Sequence, residues 1–141
     1  MQENQDSSIA AEIIALERAA LDRWFNGDPE RFKELMAPTV TYFDPWIPVR
    51  LDGLQAIEDY MKRFVGKVFA DRYEMLNPKV QVHGEIAILT FNLETYDQQD
   101  DGIEKVSSKW NAAEVYTQIE GSWKTVHVNW SYTDKDSESA E

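Results

Sequence analysis

A chain of 141 residues with no cysteine and a net charge of −12 is bounded first by what it lacks. Its 26 acidic against 14 basic residues leave no positive footprint for a phosphate backbone or an anionic membrane surface, so neither nucleic acid nor membrane is an expected partner. Without cysteine there is no disulfide framework, zinc–thiolate centre or thiol nucleophile, and the length suits one domain around one core.

Residues 1–7 are polar and are expected to form a disordered N-terminus. Ser8 reads as an N-cap, after which Ile9, Ile13, Leu16, Ala20, Leu21 and Trp24 recur at helical spacing. Gly27 ends that helix. Asp28-Pro29 opens a second, with Phe32, Leu35 and Met36 on one face and Pro38 as its stop. Val40-Thr41-Tyr42-Phe43 reads as a short strand running into Asp44-Pro45, where proline breaks the ladder. Gly53 marks a turn, and Leu54, Ile57, Met61, Phe64 and Val65 give a third amphipathic helix ending near Gly66.

From Arg72 onward the pattern is that of strands. Lys79–Val82 alternates, His83-Gly84 turns, and Glu85–Tyr96 returns. Two further long strands, about Glu104–Ile119 and Ser122–Tyr132, join at Glu120-Gly121. In the last of them Val126, Val128 and Trp130 alternate with Thr125, His127 and Asn129, a period of two that gives the strand two different faces. Residues 134–141 are acidic, poor in apolar side chains and expected to be a disordered tail.

Helices first and a meander of long strands afterwards predict an α+β domain over residues 8–133. Three N-terminal helices pack in the concave face of a curved, mostly antiparallel sheet, a cone with an internal pocket. The acidic start carries no signal-peptide pattern and no run reaches membrane-span length, so a cytoplasmic protein is expected. No phosphate-binding glycine loop or nucleophile elbow is present.

Asn26-Gly27-Asp28, Val40-Thr41-Tyr42-Phe43-Asp44-Pro45 and the closing strand carry a family resemblance. The chain is similar to the nuclear-transport-factor-like (cystatin-like) superfamily, and within it to the SnoaL-like proteins and the association domain of calcium/calmodulin-dependent kinase. The related closing pattern is Gly-x-Trp-x-x-x-His-x-His-Trp-Ser. Gly121, Trp123, His127, Trp130 and Ser131 match it, and Asn129 stands where the second histidine would be. The resemblance implies the cone fold but no single activity, because the superfamily holds isomerases, dehydratases, hydrolases, carriers and oligomerisation hubs.

Asp44 is the candidate catalytic residue. In the resembling ketosteroid isomerases an Asp-Pro at this place supplies the general base that moves a proton beside a carbonyl, and a carboxylate in an apolar pocket can be tuned for such work. The bland alternative is an aspartate capping a turn before proline. The isomerase pattern also uses a tyrosine in the first helix, where this chain has Ala20. Glu114 falls near the isomerases' second acidic position, with a rim carboxylate as its alternative.

Trp24, Tyr42, Trp46, Tyr60, Phe64 and Trp110, with Glu114, Val128 and Trp130, are the expected pocket residues. They read equally as ordinary packing, and Trp46 is the lid candidate. His127 and Asn129 are assigned to the pocket or to a dimer interface, since parity alone does not say which face is which. Two histidines far apart in sequence argue against a histidine metal site, and no cofactor is expected. The reading is a small, largely apolar organic ligand in a conical pocket, with cofactor-free isomerase, dehydratase or hydrolase chemistry as one possibility. The alternative is a non-catalytic association module. A homodimer through the sheets is expected in either case.

Overall fold

The computed structural model describes residues 2–133, so the tail at 134–141 lies outside the described residues. Helix α1 spans Gln2–Trp24, α2 Glu30–Leu35 and α3 Leu54–Met61, the last continued by a 3-10 turn at Lys62–Phe64. The strands are β1 Met36–Phe43, β2 Leu51–Asp52, β3 Arg72–His83, β4 Ile86–Gln98, β5 Glu104–Ile119 and β6 Ser122–Tyr132. Among the described residues no helix is long and apolar enough to cross a membrane.

α1 begins earlier than its expected cap at Ser8. The stretch expected to be disordered is helical from Gln2, because Gln and Glu are good helix formers that extend a helix upstream. Further along, Ile13, Ala20 and Leu21 turn one face into the core. Asp28 opens α2 as expected: its Oδ1 accepts the Glu30 amide at 2.9 Å, satisfying a helix-start donor. α2 ends before Pro38, however. Met36 is the first strand residue, and the pairing of β1 with β6 is interrupted between Met36 and Thr41, where proline offers no N–H.

One six-stranded sheet runs in the order β2-β1-β6-β5-β4-β3. Every neighbouring pair is antiparallel except β1 and β6, the first and last long strands, which lie parallel. Residues line up in rows across it. Tyr42, Val128, Glu114 and Leu89 form one row on the core side, and Thr41, His127, Val115 and Ile88 form the next on the far side. The helices supply Ile13, Leu21, Phe32, Ile57 and Tyr60 to the same buried cluster as Leu89, Phe91, Tyr116, Trp123 and Val128.

Bulges in β6 and β5 adjust this pattern. In β6, Tyr116 pairs with Thr125 and Val115 with His127, so Val126 is an extra residue. The expected grouping of Thr125 with His127 is therefore corrected. Thr125 is buried on the core side with Trp123 and Val128, and the face changes at the bulge. In β5, Thr95 pairs with Ser108 and Tyr96 with Val106, which leaves Ser107 as the extra residue.

Candidate functional site

The core-facing row one step beyond Tyr42 opens into a cavity of about 240 Å³. β1 delivers Tyr42 and then Asp44 to it, β6 delivers Val128 and Trp130, β5 delivers Trp110, and α1 and α2 close it with Trp24 and Phe32. An edge-to-edge run of rings follows the wall. Trp24 meets Phe64 at 5.7 Å between centroids, Phe64 meets Trp46 at 5.8 Å, Trp46 meets Trp110 at 5.5 Å, and Trp110 meets Trp130 at 5.9 Å. Such tilted contacts are the favoured geometry for aromatic pairs and make a stiff, apolar wall.

Among the described residues Asp44 is the one carboxylate lining this cavity, and it is buried. Its Oδ2 accepts hydrogen bonds from the Tyr42 hydroxyl at 2.9 Å and the Tyr60 hydroxyl at 2.7 Å. Its Oδ1 accepts the Trp46 backbone N–H at 2.8 Å. That last bond is the expected turn before and after Pro45, so the capping and the pocket readings of Asp44 describe the same conformation. Burial, then the charge of Asp44, drives the Tyr42 phenol well above its usual range. Burial, then its bond to Asp44, does the same for Tyr60. Both phenols thus stay protonated and hold Oδ2, which leaves Oδ1 with lone-pair capacity toward the cavity.

Of the other expected pocket residues, Trp24, Tyr42, Trp46, Trp110, Val128 and Trp130 line the cavity. Tyr60 and Phe64 stand just behind it, Tyr60 through Asp44 and Phe64 through its rings to Trp24 and Trp46. His127 and Asn129 face away from it. His127 Nδ1 lies 2.7 Å from Thr41 Oγ1, and its ring meets Phe43 edge-on at 6.0 Å. Trp46 is half exposed at the mouth.

Glu114 does not line the cavity. It lies deeper in the core, paired with Glu17 of α1, and both are fully buried. The Tyr116 hydroxyl reaches Glu17 Oε1 at 3.3 Å and Glu114 Oε1 at 3.2 Å. With both carboxyls ionised, no donor reaches Glu17 Oε2 or Glu114 Oε2. With a proton between them they hydrogen-bond each other, and burial, joined for Glu17 by the charge of Glu114, raises both carboxyls toward that protonated state.

Sequence reasoning missed the mouth. Val68, Phe69 and Ala70 line it, on a segment with no periodicity that is pinned beneath the α1–α2 turn. Gly66 N–H donates to Gly27 O at 2.7 Å, and Ala70 N–H donates to Phe25 O at 3.3 Å. It also missed Thr95, Ser107 and Ser108, because a bulge rather than strict alternation brings both serines to the cavity. Among the described residues no group of three His, Asp or Glu side chains could hold a metal ion.

Residues 9–133 match the family model described as the calcium/calmodulin dependent protein kinase II association domain. No curated protein matches the chain. Among solved structures, the "putative ketosteroid isomerase" of Parabacteroides distasonis is 38% identical, with TM-score 0.74 over 87% of this chain and 86% of that one. The association domain of C. elegans CaMKII is 22% identical, with TM-score 0.77 over 90% and 98%. An NTF2-like superfamily protein of Salmonella enterica is 23% identical, with TM-score 0.69 over 92% and 94%; at these lower identities the likeness is one of fold. The comparisons agree with the resemblance carried by the closing strand.

Proposed function

The chain belongs to the calcium/calmodulin dependent protein kinase II association domain family, and from that premise we propose that this member binds a small, neutral, ring-containing molecule and uses Asp44 as its proton acceptor. The observation that carries the proposal is a carboxylate lining an aromatic cavity, with Oδ2 clamped by two phenols and Oδ1, which accepts one backbone N–H, keeping a lone pair for a ligand. An acidic O–H or a C–H beside a carbonyl would give its proton to Asp44 Oδ1. No metal and no organic cofactor enters this step. Size narrows the class: a cavity near 150 Å³ holds benzene, so about 240 Å³ holds roughly ten non-hydrogen atoms. A four-ring skeleton would protrude.

The 38% identity to the Parabacteroides protein supports proton-transfer chemistry. The first-helix tyrosine of the isomerase pattern has no counterpart, since Ala20 is packed in the core, and both nearby phenols serve Asp44 instead. The test needs no prior substrate. Exchange of carbon-bound hydrogen beside the carbonyl of small cyclic ketones in deuterated water is followed by NMR. Wild-type protein is expected to accelerate it, and Asp44→Asn to lose about 10²–10⁴ in rate, the usual contribution of a general base. Exchange no faster than buffer, or equal in the variant, refutes the catalytic role.

A second reading, association through the sheet, is favoured by the far face. There Phe43 is exposed beside His127, and Asn92, Asn111 and Ser131 form a polar row, with Asn92 Nδ2 donating to Asn111 Oδ1 at 2.7 Å. A mixed apolar and amide surface of this kind is suited to self-complementary pairing. The two readings use opposite faces and are compatible, so the proposed form is a homodimer with a pocket in each protomer.

A further inference from the structure

The cavity has a second polar place, at the mouth and away from Asp44. Thr95 Oγ1 lies 2.7 Å from Ser107 Oγ and 2.5 Å from Ser108 Oγ, and Trp110 Nε1–H donates to Ser108 Oγ at 2.8 Å. Thr95, Ser107, Ser108 and Trp110 all line the cavity. The β5 bulge causes this cluster: the extra residue places two successive serines against the same threonine.

A count of hydrogens shows what the cluster offers. Three hydroxyls carry three hydrogens, and the two contacts of Thr95 use two of them. The Trp110 N–H feeds into Ser108, so a chain in which each hydroxyl accepts one bond and donates one runs Trp110 to Ser108 to Thr95 to Ser107. Cooperativity favours that single direction. Its end is the Ser107 O–H, on an exposed residue at the mouth, with a hydrogen left to give.

We infer that the Ser107 hydroxyl, polarised through Thr95 and Ser108 by the Trp110 indole, is a specificity anchor for an acceptor oxygen at the outer end of the ligand. The inference rests on the pocket reading above and deepens it. The ligand class becomes a neutral ring with a hydrogen-bond donor or acidic hydrogen at its inner end, on Asp44, and a carbonyl at its outer end. The carbonyl is preferred to a carboxylate because the protein's net charge of −12 and Asp44 itself disfavour an anion.

Spacing agrees. Asp44 follows Phe43, the partner of Asn129, and Ser107 lies five residues along β5 from Ala112, the partner of Trp130. Two strands across and five residues along put the two backbones about 19 Å apart by sheet spacings. Once side chains and hydrogen bonds at both ends are subtracted, the remaining gap is that of a single para-substituted ring.

The probes are para-hydroxyacetophenone and its carbonyl-free isostere para-isopropylphenol, titrated calorimetrically into the full chain. Wild type is expected to bind the ketone more tightly. Ser107→Ala is expected to lower ketone affinity by roughly fivefold, the worth of one hydrogen bond, while leaving the isopropyl compound unchanged. Asp44→Asn should weaken both probes and keep the ketone preference. If Ser107→Ala weakens both probes equally or neither, the anchor is refuted while the Asp44 pocket stands. If wild type binds neither probe, the pocket reading fails and takes the anchor with it.

Discussion

Replacing both buried carboxyls, Glu17→Gln/Glu114→Gln, should make the protein more stable as pH rises, and by an amount that counts protons. The folded state raises both carboxyls above their ordinary 4.5, chiefly through burial. A raised acid contributes stability that is full below about 4.5 and is lost as pH climbs through its folded value. Each proton that the folded pair keeps and the unfolded chain releases costs about 1.4 kcal/mol per pH unit in that window. The amide pair carries its hydrogens at every pH and so has no such slope, while fitting the same space beneath Tyr116.

Urea unfolding at pH 5, 6 and 7 is the assay, with the slope on denaturant required to stay constant. The variant is expected to gain on wild type as pH rises from 5, because the wild-type pair gives up its proton-linked stability while the amides have none to lose. Asp28, lowered mainly by the Glu30 amide, and Asp52, lowered mainly by Arg50, pull the other way in acid. They are present in both proteins and cancel in the difference. Parallel stability curves would refute the claim that these acids are protonated in the fold.

Gly27→Ala tests how the mouth is held. Gly27 has φ +85°, and a Cβ there would stand 2.9 Å from Phe69 Cζ. A loss of about 1–2 kcal/mol is expected from the left-handed backbone alone, read as a lower urea midpoint. An unchanged midpoint would mean that the turn does not depend on glycine. Phe43→Asp tests the far face. Wild type at micromolar concentration is expected to scatter light as twice 16.3 kDa and the variant as one chain, with the same ligand affinity. A wild type that is already monomeric would end the association reading.

The order of helices and strands was legible because each long segment repeats one period. Asp44 stood out through its Asp-Pro setting and the isomerase resemblance, and its bond from the Trp46 N–H suits the turn-capping alternative equally. Parity failed where the ladder gains a residue. Val126 and Ser107 are ordinary strand residues to look at, and each moves its neighbours to an unexpected face. The Glu17–Glu114 pair was invisible for a different reason. A glutamate in an amphipathic helix reads as solvated, and only tertiary structure brings the second carboxyl that allows it to be buried. The 66–70 segment has neither period nor motif, and its place is fixed by backbone bonds to the Phe25–Gly27 turn.

The parallel contact between β1 and β6 also sets an order of events during synthesis. Thr41 and His127 are 86 residues apart in the chain yet adjacent in the sheet. At roughly 5–20 residues per second, a ribosome needs about 4 to 17 seconds after making β1 before its neighbour exists. Through that interval Met36, Val40 and Tyr42, all buried in the finished fold, lack the neighbouring strand β6. The nascent N-terminal half therefore has to wait as helices with β1 paired on one edge only, to the short β2. Substitutions that raise the solubility of that waiting form should improve yield without changing the stability of the finished protein.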